Sequence, residues 1–244
     1  MQMARLLGCL FWASLLLFVL SWWQFDDFVE DLQPGAERAT EPMQKATQLA
    51  PFDTEQGGVR YRVKPRYDYE LSGLVVSRKH HDGEFSLHRL WNDNLNVADL
   101  CVVWGSNATA LDLSAFSFWS AEFTCYFRTQ SRAAWAAFVP GQMSNNHLLA
   151  DKADLRDEIM KAQIGDQIHL KGVLAEYRND SGFYRGTSTV RTDRGNGACE
   201  TVYVQSFAIT RSMPSIWRAL FDPAWVVALF SGLWWVIGVA RGKY

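Results

Sequence analysis

Residues 164–177 read IGDQIHLKGVLAEY, and the fold turns on how this stretch is divided. Its opening Ile-Gly-Asp ends a helical pattern: Leu148, Leu149, Leu155, Ile159 and Ala162 recur at helical spacing, and Gly165 is placed to stop the helix. From Gln167 onward apolar and polar residues alternate, the period of a strand, with Gly172 at a bend. A helix therefore hands over to a strand inside this one stretch.

Upstream, Val59, Tyr61 and Val63, then Tyr67, Tyr69 and Leu71, recur with period two, which predicts one long strand interrupted at Pro65. LCVVWG reads as a second strand and AEFTCYFRT as a third. Downstream of the helix, QIHLKGVLAEY and ETVYVQSFAIT give a fourth and a fifth. Three strands, a helix and two strands fit a mainly β (α+β) fold, an OB-like five-stranded β-barrel with its helix between the third and fourth strands; other α+β layouts fit the same order. In such a barrel two loops converge. One carries His80, His81, His88, Arg89 and Trp91, and the other carries Arg178, Arg185, Arg191, Asp193, Arg194 and Asn196.

Both ends of the chain are apolar. Residues 6–23 and 223–240 carry no charge and are long enough to cross a bilayer core of about 30 Å, at about 1.5 Å per residue. Arg5 precedes the first span and Asp26, Asp27, Glu30 and Asp31 follow it, while Arg241 and Lys243 follow the second, so the positive-inside bias puts both termini in the cytoplasm. A cleavable signal peptide competes for the first span, although no A-x-A site follows it closely. The expected organisation is an anchor (1–24), a juxtamembrane stalk (25–57), an OB-like domain (58–212), a short juxtamembrane segment (213–222) and a C-terminal span with its tail (223–244). The formal net charge of −2 argues against nucleic acid as a partner.

Cys9 falls in the first span, leaving Cys101, Cys125 and Cys199 in the outer domain, where disulfides persist. Cys101 and Cys125 lie on the expected second and third strands, so a cross-strand bridge between them is the favoured pairing; a bridge from Cys199 to either stays open. An unpaired Cys199 reads as a small buried hydrophobe or, alternatively, as a catalytic or redox thiol activated by His147 and a nearby arginine. Adjacent His80 and His81 point to opposite sides of an extended chain, and none of the five histidines has the spacing of a known zinc site. They read as solvated loop residues, with no metal and no cofactor implied, and His169 as facing the polar side of its strand. Arg191 and Asp193 either clamp each other or, with Arg185, Arg194, Asn196 and glycine backbone, form an anion site. The sequons at Asn107 and Asn179 carry weight only in a host that glycosylates exported chains. No P-loop, dinucleotide fingerprint, G-x-S-x-G or H-E-x-x-H occurs.

Four segments carry a resemblance: Trp104-Gly105, NNHLLA at 145–150, GDQIHLKGVL at 165–174 and STVRTDRGNGACETVYV at 188–204. Together they resemble a proteobacterial membrane-anchored family with a WG motif, an N-x-H-L segment and an S-S-x-x-R-x-D-x-G-x-G-A-C-E-x-x-Y-V run. The resemblance implies an inner-membrane protein facing the periplasm, with Trp104, His147, Ser188, Arg191, Asp193, Gly195, Gly197, Cys199 and Glu200 as matching positions. Thr187-Ser188-Thr189 stands where the pattern reads Ser-Ser, and Arg194 where a small polar residue is common. The expectation is a non-enzymatic envelope protein that binds a partner protein or an anionic ligand through the convergent loops. A thiol-dependent enzyme using Cys199 with His147 is the alternative.

Overall fold

The computed structural model describes residues 2–29, 40–81, 83, 86–190, 193 and 198–242. In chain order the elements are α1 (Gln2–Trp23), β1 (Met43–Ala46), β2 (Phe52–Gln56), β3 (Val59–His80), α2 (Leu87–Leu90), β4 (Asn96–Val103), α3 (Gly105–Thr109), β5 (Phe116–Ala121), β6 (Thr124–Thr129), α4 (Arg132–Ala137), β7 (Met143–Leu149), α5 (Ala153–Lys161), β8 (Gln167–Asn179), β9 (Tyr184–Arg185), β10 (Glu200–Arg211) and α6 (Ile216–Ala240). They fall into two compact units: Met1–Val29 with Pro214–Tyr244, and Glu30–Met213.

The first unit is a pair of helices, α1 and α6, each long and apolar enough to cross a membrane. Phe18 meets Phe221 and Trp225, and Phe11 meets Trp235, the order of an antiparallel pair. Small residues allow the approach, with Gly8 against Trp235 and Gly232 against Phe11. Away from that seam Leu16, Trp22, Phe230 and Trp234 are exposed, as side chains facing lipid would be. α6 starts earlier than the apolar run alone suggests because Ser215 caps it, accepting from the Arg218 amide, and Pro223 lies inside the helix.

The second unit is mainly β, built on one mixed sheet of eight strands. β3 pairs antiparallel with β4, and β4 with β7; β7 runs parallel to β10, β10 pairs antiparallel with β8, and β8 returns to β3. β3 is long enough to pair with β8 along Tyr61–Leu74 and with β4 along Leu74–His80. Proline has no amide to donate, and a register shift falls between Pro65 and Tyr67. Buried apolar side chains, Leu71, Leu100, Leu148, Leu170 and Val202 among them, form the main core, and Ile159 of α5 packs into it.

The Gly-Asp step of the opening stretch is a junction. Gly165 has φ +85°, and a Cβ there would lie 2.5 Å from the Met213 sulfur. Its amide donates to the Val75 carbonyl at 2.7 Å. Asp166 accepts from the Gln163 amide at 2.9 Å and the Met213 amide at 3.2 Å, so it ties the exit of α5 to the chain beyond β10. At Gly172 a Cβ would stand 2.3 Å from the Tyr203 carbonyl oxygen, so only glycine lets β8 approach β10 this closely.

Four expectations need correction. AEFTCYFRT contributes the end of β5, the turn and β6, and β6 pairs with β5 in a separate two-stranded hairpin; the third strand of the main sheet is β7. Leu148 and Leu149 belong to that strand, and α5 begins only at Ala153. The expected stalk contributes β1 and β2, both paired on β3, because PFDTEQ alternates along an edge. Cys101 and Cys125 stand at disulfide distance with Cα atoms 6.0 Å apart, but they are not partners in one sheet: the bridge ties the hairpin to β4.

Candidate functional site

Two loops meet above the end of the sheet, and one asparagine joins them. Asn179, closing β8, accepts from the amides of Ser181 and Phe183 at 3.1 and 2.9 Å, which shapes the turn into β9. Its amide group donates to the carbonyls of Trp91 and Asn92 at 2.9 and 3.1 Å, in the loop after α2. Trp91 then stacks on Phe183 at 5.7 Å and on Phe123 at 5.5 Å. Phe123 comes from the β5–β6 turn, where it takes φ +64°.

These residues wall a cleft of about 850 Å³, lined also by Tyr184, Arg185, His147, Cys199 and Thr201. The Arg185 guanidinium lies over the Phe123 ring at 4.6 Å and near Phe183 at 5.9 Å. Its Nε is buried with no hydrogen-bond partner, and no carboxylate pairs with it among the described residues.

The parallel β7–β10 pairing sets His147 opposite Thr201, which brings Cys199 to the same wall. The Cys199 thiol donates to the Phe123 carbonyl at 3.2 Å and accepts from the Asn145 side chain at 3.7 Å. Burial pushes its pKa up to about 11; the Asn145 bond opposes this only in part, and the nearby Glu200 charge adds to it. It is a neutral thiol at ordinary pH.

Behind the cleft wall lies a buried polar cluster. His147 Nδ1 donates to Asp99 Oδ1 at 2.6 Å, and His81 Nε2 lies 2.9 Å from the same oxygen without the alignment of a ring N–H bond. Burial alone would raise the Asp99 pKa, but its contacts with His147 and His81 hold the carboxyl far below the usual range. Burial outweighs Asp99 at His147 and lowers its pKa. The His81 and His88 rings lie against each other, tilted by 33°, with centroids 3.7 Å apart. His88 Nδ1 donates to Asp93 at 2.6 Å, and Asp93 also accepts from Tyr177 Oη at 2.8 Å.

Of the ligand-binding candidates, Arg185 and His147 line the cleft, together with Cys199 of the thiol alternative. Trp104 does not: it is 1% exposed and belongs to the main core. Asp193 accepts from Ser188 Oγ at 2.7 Å, while Arg191, Arg194, Asn196, Gly195 and Gly197 lie outside the described residues, and with them the Arg191–Asp193 clamp. The reading of the histidines as solvated loop residues is overturned for His81, His88 and His147, whose side chains are buried. His169 keeps its polar setting, bonded to Ser72 and near Glu70. Both sequon asparagines are buried.

Phe123, Phe183, Asp93, Asp99 and Tyr177 were missed. The signal for Asp99 was present: a carboxylate inside NVADLCVV must be paired if that run is a buried strand. Comparison with protein-family models, curated proteins and solved structures finds no match.

Proposed function

We propose that the second unit is a barrel of the oligonucleotide/oligosaccharide-binding type whose cleft holds an anionic envelope ligand without transforming it. The cyclic pairing order supports the fold reading: β3, β4, β7, β10 and β8 follow one another and return to β3, the β7–β10 pair is parallel, and α5 lies between β7 and β8. Arg185 carries the binding reading. It is a flat cation set over an aromatic ring in a cleft wall, with a buried N–H unpartnered, and phosphate or carboxylate would supply the missing acceptor. Trp91, Phe183 and Tyr184 offer ring faces against which the body of such a ligand packs.

In this reading the chain is a bacterial inner-membrane protein with its main domain in the periplasm and both termini in the cytoplasm, an accessory or assembly subunit held by α1 and α6. The charges at Arg5, Asp26, Asp27 and Arg241 support that orientation, and the resemblance to the proteobacterial membrane-anchored family agrees with it.

A phosphorylated disaccharide titrated against the full-length protein in detergent tests the binding reading. Trp91 emission should change saturably, and Arg185→Ala should weaken binding about tenfold or more, roughly 1.4 kcal/mol. Unchanged affinity in that variant contradicts it. One observation favours the thiol enzyme as a second reading: Cys199 and His147 line the same cleft, and Asp99 holds His147 Nδ1 so that Nε2 is the nitrogen left for chemistry. The raised Cys199 pKa weighs against it.

A further inference from the structure

We infer that His81, His88 and Asp99 form a binding site for a divalent first-row transition ion of the zinc class. One ligand atom from each lies within 4.8 Å of the others, and a metal–nitrogen bond of about 2.0–2.1 Å would draw them somewhat closer. The arrangement of their hydrogen bonds selects a cation rather than a proton network. His88 gives its Nδ1 proton to Asp93, which leaves Nε2 as a bare lone pair, and Nε2 is buried with no partner. Asp99 Oδ2 is likewise buried and unpartnered, and neither nitrogen of His81 makes an aligned hydrogen bond. Lone pairs on two imidazoles and one carboxylate therefore converge at one buried point. His147 and Asn96 satisfy Asp99 Oδ1, but without a cation the remaining lone pairs stay buried and uncompensated.

The surroundings match how metal sites are built. Asp93 holds the second nitrogen of His88 and is itself bonded to Tyr177, a carboxylate–histidine support that fixes ring and tautomer. His147 plays the same part for Asp99 by donating to Oδ1, which leaves Oδ2 for the ion. Access is available, because His81 also lines a second cleft of about 450 Å³ with Asn92, Asn94 and Arg89. Two nitrogens and one oxygen suit zinc, with a remaining position for water. The site does not depend on what the Arg185 cleft binds.

Untagged full-length protein in detergent, stripped with chelator and titrated with Co²⁺ alone, provides the test. Visible ligand-field bands should saturate at one ion per chain, lack the charge-transfer band of a thiolate, and be displaced by Zn²⁺. His81→Ala removes a ring that makes no aligned hydrogen bond, and it should abolish stoichiometric uptake. Asp93→Asn, which keeps the shape of the support, should weaken uptake by roughly 10–100-fold. Cys199→Ser should change nothing. No stoichiometric uptake by the wild-type protein overturns the site whatever the variants do, and so does uptake that survives His81→Ala or disappears in Cys199→Ser.

Discussion

At Cys199 the structure separates two roles that one residue type can play. The thiol donates to a carbonyl, and its pKa is pushed up from 9.0 to about 11, mainly by burial. A raised thiol pKa means that thiolate is scarce until the pH approaches that value. Alkylation by iodoacetamide should therefore be slow near pH 8 and rise steeply only well above it; labelling at pH 7 as fast as that of an exposed thiol would contradict this. Asp151 works in the opposite direction. Burial raises its pKa, but hydrogen bonds from Thr54 at 2.5 Å and Tyr203 at 2.7 Å outweigh burial and hold it below its ordinary 3.8. A depressed carboxyl pKa contributes stability above the unfolded value and loses it as the pH falls through the folded one. Acid unfolding followed by circular dichroism should show Thr54→Val losing stability relative to wild type at neutral pH, with the gap closing below pH 3.8. A gap that stays constant into acid would count against the pair.

Among the elements, the β5–β6 hairpin is the one that period-two reading recognised but put in the wrong place. Alternation in AEFTCYFRT reports a strand and says nothing about its partner, and here the partner is the adjacent strand of the same hairpin. β7 escaped for the opposite reason. MSNNHLL is buried along nearly its whole length, so its Ser, Asn and His side chains face interior partners and mimic a loop in sequence. The long strand β3 and the strands β8 and β10 were legible from their period, and so was the positive-φ turn at Gly165, although α5 itself ends earlier, at Lys161. The convergence of the two loops was legible as well, through topology alone. Because Phe123 lies on the hairpin turn, the Cys101–Cys125 bridge should hold one wall of the cleft. With the cysteines 24 positions apart in sequence, the bridge contributes about 3 kcal/mol in the chain-entropy picture. Reductant should lower the Tm and weaken binding of the phosphorylated probe together. Full binding after complete reduction would show that the hairpin does not depend on the bridge.

At the scale of the whole molecule, the chain divides into a pair of helices long and apolar enough to cross a membrane and a mainly β unit. The apolar ends were plain in the sequence because no charge interrupts either run. The buried His-Asp cluster was not, because its members are scattered between residues 81 and 147 and meet only through the pairings of β3, β4 and β7. Protease added outside spheroplasts should digest the β unit and leave tags at both termini protected; a tag cleaved at either end would contradict the expected orientation. The central claim, that the Arg185 cleft holds an anionic ligand, is tested most directly by native mass spectrometry of the protein extracted from its own membranes in mild detergent. A small acidic species should co-purify bound to the wild-type chain, be absent from Arg185→Ala and be retained by Cys199→Ser. A wild-type chain free of any such species, or an Arg185→Ala chain that keeps it, would rule out anion binding at Arg185.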